Sequence, residues 1–147
     1  MKKYFVILIL VLIVVISSLM SFVANYKQQR GEIEEFNLEF EKYQEQTTKG
    51  IDVATVINSA VDNNEKHEIE KDENEKYIDD NKYCVIVEVI MNSPSDPTKD
   101  MTIPMEIIYS SDMDSFVKHF SLSEFKCIEI GYNPIGRVNK IVFELEE

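Results

Sequence analysis

Residues 82–92 read KYCVIVEVIMN. In this stretch Tyr83, Val85, Val87, Val89 and Met91 alternate with Cys84, Ile86, Glu88 and Ile90, so the two sets face opposite sides of a strand. Before it the apolar residues recur with a helical period; after it they recur mainly with an extended one. The chain is therefore α+β, with helices gathered at the N-terminal side and a small antiparallel sheet of about four strands behind them.

Downstream, residues 92–100 contain Pro94 and Pro97 and read as a loop. Residues 101–109 read as a second strand, with Ile103, Met105, Ile107 and Tyr109 inward and Glu106 outward. Pro104 has no amide to donate, which places this strand at a sheet edge. Ser111 is positioned as the N-cap of a short helix over 112–120, whose early acids suit the positive end of the helix dipole. Phe116 and Phe120 lie one turn apart on its core side. Residues 125–132 make a third strand, Asn133-Pro134-Ile135-Gly136 a turn, and residues 138–145 a fourth strand with Ile141, Phe143 and Leu145 inward. The last two form a hairpin.

Upstream, residues 62–82 hold nine acidic and four basic side chains, with Ile69, Tyr77 and Ile78 as the clearly apolar ones. Such a segment buries too little to offset its ordering entropy and reads as an acidic mobile loop. A short helix over 52–62 precedes it, with Val53, Val56, Ile57, Ala60 and Val61 on one face and Asp52 placed as its cap. Thr47-Thr48-Lys49-Gly50 breaks the pattern. Residues 25–46 form an amphipathic helix whose stripe is Ile33, Phe36, Phe40 and Tyr43. Gly31 is its weak point and a place for a bend.

Residues 4–24, YFVILILVLIVVISSLMSFVA, form 21 consecutive residues without a charge. About 20 apolar residues span a bilayer core as a helix, and in hydrocarbon every backbone amide must be satisfied within its own segment. Ser17, Ser18 and Ser21 are tolerated because a hydroxyl bonds back to a carbonyl one turn earlier. A cleaved signal peptide has a shorter apolar core and a small-x-small site. Here Phe22 occupies a position that should be small, so the retained signal-anchor is the preferred reading. Lys2 and Lys3 make residues 1–3 the cytoplasmic tip of a single-pass protein of the cell membrane, with residues 25–147 outside.

Residues 1–24 hold two of the 15 basic residues and none of the 27 acidic ones, which leaves 13 against 27, a net charge of −14. That argues against nucleic-acid binding, which depends on Lys and Arg neutralising phosphates. It argues equally against lying on an anionic lipid surface. Self-repulsion and solubility are the natural consequence.

Motifs for chemistry are sparse. Cys84 and Cys127 share a face with Glu88 and Glu129, opposite the main core, on the parity of their strands. They form a disulfide if adjacent strands bring their Cα atoms within about 7 Å, and otherwise remain small hydrophobes. His67 and His119 are isolated and supply no zinc spacing. Asp72-Glu73-Asn74-Glu75 resembles a calcium loop only loosely, since Lys76 takes a ligand position and no glycine follows. No nucleophile elbow, phosphate loop or metalloprotease helix is present. No catalytic residue, cofactor or metal is expected, and the chain reads as a non-enzyme.

A basic tip, a helix that is apolar and then amphipathic, and a C-terminal antiparallel sheet resemble the layout of type IV pilins and pilin-like pseudopilins. That layout implies assembly through the apolar helix. The family's glycine before a Phe or Met is missing at Lys3-Tyr4-Phe5, and its glutamate is missing from residues 4–24. A second resemblance is to uncharacterised single-pass membrane proteins of low-GC Gram-positive bacteria. It rests on Phe36-Asn37-x-x-Phe40-Glu41-x-Tyr43, Gly50-x-x-Val53, Ile57-Asn58, Asp62-Asn63-Asn64 and Tyr132-Asn133 to Gly136. It implies no activity. The expected role is contact with a protein partner or a second copy, as an accessory part of a pilus-like or secretion assembly. The alternative is a solitary extracytoplasmic binding or sensor module for a cation or basic ligand.

Overall fold

A computed structural model describes residues 2–92 and 101–146. The proline-containing loop expected at 92–100 lies outside the described residues except for Asn92. The chain separates into two compact units, Met1–Glu35 and Phe36–Glu147.

The first unit is helical throughout its described residues. Helix α1 runs from Lys2 to Glu41, and its residues from Phe36 onward belong to the second unit. Residues 4–24 are exposed at every position, and this is the one helix among the described residues long and apolar enough to cross a membrane. Ser17 Oγ donates to the Ile13 carbonyl at 2.8 Å and Ser18 Oγ to that of Val14 at 2.9 Å. The hydroxyls are thus satisfied within their own helix, as hydrocarbon demands. Gly31 remains helical.

The second unit is α+β. Its elements are the end of α1, β1 (Thr47–Lys49), α2 (Gly50–Lys66), β2 (Ile86–Met91), β3 (Met101–Pro104), α3 (Met105–Phe120), β4 (Glu124–Tyr132) and β5 (Val138–Leu145). Five strands form one sheet in the order β1-β4-β5-β2-β3. The sheet is mixed, not antiparallel: β2 pairs with β5 in parallel, Val87 opposite Ile141 and Val89 opposite Phe143. The additional strand is β1, from the Thr47-Thr48-Lys49 segment read as a break. It pairs antiparallel with β4.

Val85, Val87, Val89, Phe125, Cys127, Ile141 and Phe143 are fully buried, together with Phe40, the apolar face of α2, and Met105, Ile108 and Phe116 of α3. The opposite sheet face mixes Glu88, Lys140 and Glu144 with the half-buried Ile86 and Ile90. Val142 lies there between Glu88 and Glu129 in register. Lys140 Nζ is 3.2 Å from Glu88 and 3.6 Å from Glu129. The long stems of such side chains cover apolar surface while their heads stay in water, and Val142 is only 3% exposed.

Three local expectations are corrected. The first is the second strand, expected over 101–109, which ends at Pro104; α3 starts at Met105, not after Ser111. Met105 and Ile108 are buried while Ile107 and Tyr109 are exposed, which is a helical spacing rather than an alternating one. Pro104 ends β3 with extended angles and serves as the helix N-cap, and β3 is an edge strand, as its proline requires.

The second correction concerns Asp52, which is no cap. It sits in the first turn of α2, accepting from Thr48 Oγ1 at 3.0 Å. The first amides of α2 are satisfied instead by backbone: Gly50 N–H donates to Ser123 O and Ile51 N–H to Ser121 O. This approach is so close that a Cβ on Gly50 would lie 2.0 Å from the Phe120 carbonyl oxygen. The helix also continues beyond Asp62 to Lys66.

The third correction concerns the cysteines. Both belong to the main core, each about 1% exposed. A register shift in β4 between Cys127 and Glu129 separates their faces and leaves Cys127 with Phe125. Cys84 precedes β2 and is not bound by strand parity. Both thiols are free, and β5 lies between β4 and β2.

Candidate functional site

Two polar clusters border the core of the second unit. The first is centred on Arg137, only 6% exposed. The turn from Asn133 to Gly136 aims it inward. Asn133 Oδ1 accepts the N–H groups of Ile135 at 3.1 Å and Arg137 at 3.0 Å, and Gly136 takes the left-handed conformation, φ +80°, that closes the hairpin. Arg137 Nη1 donates to the Tyr83 carbonyl at 2.8 Å and Nη2 to Asn63 Oδ1 at 2.9 Å. Its guanidinium carbon sits 3.4 Å from the centre of the Phe36 ring, a cation–π contact strengthened by burial. Burial lowers the Arg137 pKa, against the opposing fields of Tyr83 and Asp80.

Asparagines complete this cluster. Asn64, fully buried, donates to Val85 O and accepts from Val85 N–H, both at 2.8 Å. Asn37 does the same across α1 and the hairpin, donating to Gly136 O and accepting from Val138 N–H at 2.9 Å each. Asn133 Nδ2 reaches the Lys82 carbonyl at 3.0 Å. An amide side chain carries both donor and acceptor, so it substitutes for a strand partner where backbone has none. Asp80 Oδ1 accepts the N–H groups of Lys82, Tyr83 and Cys84. Burial raises its pKa, but these donors prevail and hold it below the ordinary carboxylate range. The cluster binds α1, α2, the 80–85 segment and the β4–β5 hairpin to one another. It is a structural lock.

The second cluster surrounds a cavity of about 130 Å³. Val61 of α2, Glu106, Tyr109 and Ser110 of α3, and Lys71, Glu75 and Tyr77 of the acidic loop line it. This loop is anchored by Tyr77, 6% exposed, whose N–H donates to Glu106 Oε1 at 3.0 Å. Lys71 and Tyr77 also bridge to each other, with Lys71 Nζ 4.6 Å from the Tyr77 ring centre. Among the described residues, neither Tyr77 Oη nor Glu106 Oε2 has a hydrogen-bond partner, and both atoms are buried. Leaving such a group unsatisfied costs about 1–3 kcal/mol. Burial, with Glu65 and Glu106 nearby, pushes the Tyr77 phenol up to about 12. It is a neutral hydroxyl throughout the physiological range.

The residues singled out from sequence are dispersed. Phe36, Phe40 and Tyr43 pack on the core of the second unit, with Phe36 and Phe40 ring centres 5.0 Å apart and Tyr43 6.0 Å from Phe143. Ile33 falls in the first unit. Burial, with Asp79, Asp80 and Glu106, raises the Cys84 thiol to about 12, and burial raises that of Cys127. Neither forms a thiolate at neutral pH, which is the form a nucleophile needs. His67 ends α2 and stacks on Tyr83 with ring centres 4.1 Å apart. Burial, with Arg137 and Lys66, lowers its pKa. Asp72 Oδ1 accepts the N–H groups of Asn74 and Lys76, which folds the calcium-like run into a turn. No group of three or more His, Cys, Asp or Glu among the described residues is arranged to hold a metal ion.

Sequence reasoning missed Arg137, Tyr77 and Glu106. Arg137 had a local signal, the preceding Asn-Pro-Ile-Gly turn. Glu106 and Tyr77 had none, because their pairing spans two elements that only folding brings together. Comparison with protein-family models, with curated proteins and with solved structures gives no match.

Proposed function

We propose that the protein is a single-pass membrane-anchored envelope protein without enzymatic activity. It acts by contact with a protein partner or a second copy of itself, as an accessory pilin-like component of a pilus or secretion assembly. On this reading it stands with the single-pass proteins of low-GC Gram-positive bacteria. Residues 1–3 lie in the cytoplasm and the second unit outside the cell. The observation that carries the reading is the exposed apolar stretch of α1 over residues 4–24. Exposed apolar surface on this scale needs lipid or a protein partner to cover it.

Crosslinking and mass spectrometry of the full chain in its native membrane test the contact. Links from the helix around Phe36 to one defined protein, or to a second copy, are expected; an unlinked monomer overturns the reading. Orientation is tested by Asn74→Cys, which a membrane-impermeant thiol reagent should label on intact cells. Labelling only after lysis would reverse the topology.

The second reading, a binding module for a cation or basic ligand, is favoured by one observation: the cavity of about 130 Å³ beside the acidic loop, with Glu75 and Glu106 among its lining residues.

A further inference from the structure

We propose that residues 70–78 form a lid, a small hairpin that lifts off the second unit as a body between two fixed feet and is pinned shut by Tyr77. Such a lid is compatible with either functional reading and depends on neither.

The hairpin closes on itself. Ile78 N–H donates to the Glu70 carbonyl at 2.9 Å and Asp72 N–H to that of Lys76 at 2.8 Å, and Lys71 bridges to Tyr77 across the pair. Asp72 Oδ1 ties the turn by accepting the N–H groups of Asn74 and Lys76. These bonds travel with the hairpin when it moves. The feet stay behind. Ile69 packs on the core, and its N–H donates to the Asn64 carbonyl at 3.0 Å. Asp80 Oδ1 holds the N–H groups of Lys82, Tyr83 and Cys84.

Between the feet, every residue from Glu70 to Ile78 is exposed except Tyr77. Among the described residues, one hydrogen bond joins this stretch to the rest of the unit, from Tyr77 N–H to Glu106 Oε1 at 3.0 Å. The latch is therefore a single ring and a single amide.

That latch is weak for a physical reason. Burial of the Tyr77 ring favours closure. Against it, Tyr77 Oη and Glu106 Oε2 are sealed from solvent without a partner, and each has given up the water bonds it would make if exposed. Lifting the lid returns both to water. Charge opposes closure as well. The hairpin carries Glu70, Asp72, Glu73 and Glu75 against Lys71 and Lys76, and it settles onto Glu106, with Glu65 near enough to act on the Tyr77 hydroxyl. Like charges closer than a Debye length, about 10 Å at 0.1 M salt, repel one another. The segment thus falls at the low-stability end of the fold, where local opening precedes global unfolding. What it covers is apolar: the buried Val61 shares the cavity wall with Lys71, Glu75 and Tyr77.

Hydrogen exchange, followed by NMR on the full chain in detergent micelles, tests the lid. Tyr77 N–H is expected to exchange at least about tenfold faster than Val89 N–H in the middle of the sheet, and with a weaker dependence on urea, because opening the lid alone exposes little surface. A rate within tenfold of Val89, or an equal urea dependence, would make the hairpin part of the core and overturn the lid. Exchange of Tyr77 as fast as in an unstructured peptide would overturn it too, since no closed state would exist.

Thiol labelling reads the opening from beneath. Val61→Cys places a thiol under the lid, with the buried Cys84 and Cys127 as internal controls, and it should react at least about tenfold faster than either. Tyr77→Ala should raise that rate about tenfold or more. Tyr77→Phe should lower it about threefold, because the phenyl ring keeps the burial and drops the unpartnered hydroxyl. Labelling in step with Cys84 and Cys127, or a rate indifferent to Tyr77→Ala, would sink the proposal. Faster labelling in Tyr77→Phe would reveal a bonded hydroxyl and overturn the weak latch. If Val61→Cys or Tyr77→Ala fails to fold, hydrogen exchange at residue 77 in wild type and in Tyr77→Phe still decides.

Discussion

Arg137 and Glu106 are both ionisable groups at the margin of the same core, and the fold treats them in opposite ways. Arg137 is enclosed by a carbonyl, an amide oxygen and an aromatic face, with asparagines bonding the backbone around it. Glu106 has one oxygen bonded and, among the described residues, one buried without a partner. A buried charge is tolerated when its hydrogen bonds are complete. Where completion stops short, the unpaired atom carries a cost of burial. The contrast separates a polar cluster whose bonds are made from one that is left incomplete.

The comparison breaks most readily at the arginine. Arg137→Leu removes a donor from the Tyr83 carbonyl and from Asn63 Oδ1, and it should destabilise the second unit by about 3 kcal/mol. Thermal unfolding of the full chain in micelles reads this, and a loss below about 1 kcal/mol would mean that the cluster is not a lock. Asn64→Ala should cost about 2 kcal/mol, because Val85 then keeps both backbone groups buried and unpaired. Hydrogen exchange at Val85, faster in the variant, would locate the damage.

A smaller effect is expected from pH. Burial lowers the His67 pKa, with Arg137, Lys66 and Lys82 acting the same way and Asp80 opposing them. A group whose folded pKa is depressed stabilises the fold above its unfolded pKa, about 6.5, and loses that contribution as pH falls through the lowered folded value. Melting temperature should therefore drop between pH 7.5 and pH 5.5, by less than either substitution above, and His67→Gln should flatten the drop. An unchanged slope would detach His67 from the Arg137 cluster.

The smallest effect belongs to the cavity. Tyr77→Phe removes a buried hydroxyl without a partner, so stability should rise by about 1 kcal/mol and fall by no more than about 0.5 kcal/mol, against a loss of roughly 1 kcal/mol for a bonded hydroxyl. A larger loss would show that the hydroxyl is bonded in solution and would make the two regions alike.

Legibility from the sequence followed locality. The fourth strand, residues 138–145, coincides with β5, and Val85, Val87 and Val89 bury as their alternation requires. Both rest on a period of two with apolar residues on one side. The 105–109 segment misled because Met105, Ile107 and Tyr109 alternate on paper, whereas Ile108 is the one that packs with Met105. Cys127 misled because a register shift in β4 changes parity within the strand. Asp52 was a plausible cap, displaced by two carbonyls from a turn some 70 residues away in sequence.

The sequence by itself determined the apolar helix, the α+β class, the edge position of the proline strand and the turn at Asn133–Gly136. Each depends on neighbours a few residues apart, through helix length, strand alternation, a missing amide or a left-handed glycine. Only the tertiary structure decided the parallel pairing of β2 with β5, the passage of Gly50 beneath Phe120, the enclosure of Arg137 and the meeting of Tyr77 with Glu106. Those depend on which distant segments share space, and on whether each buried polar atom finds a partner there.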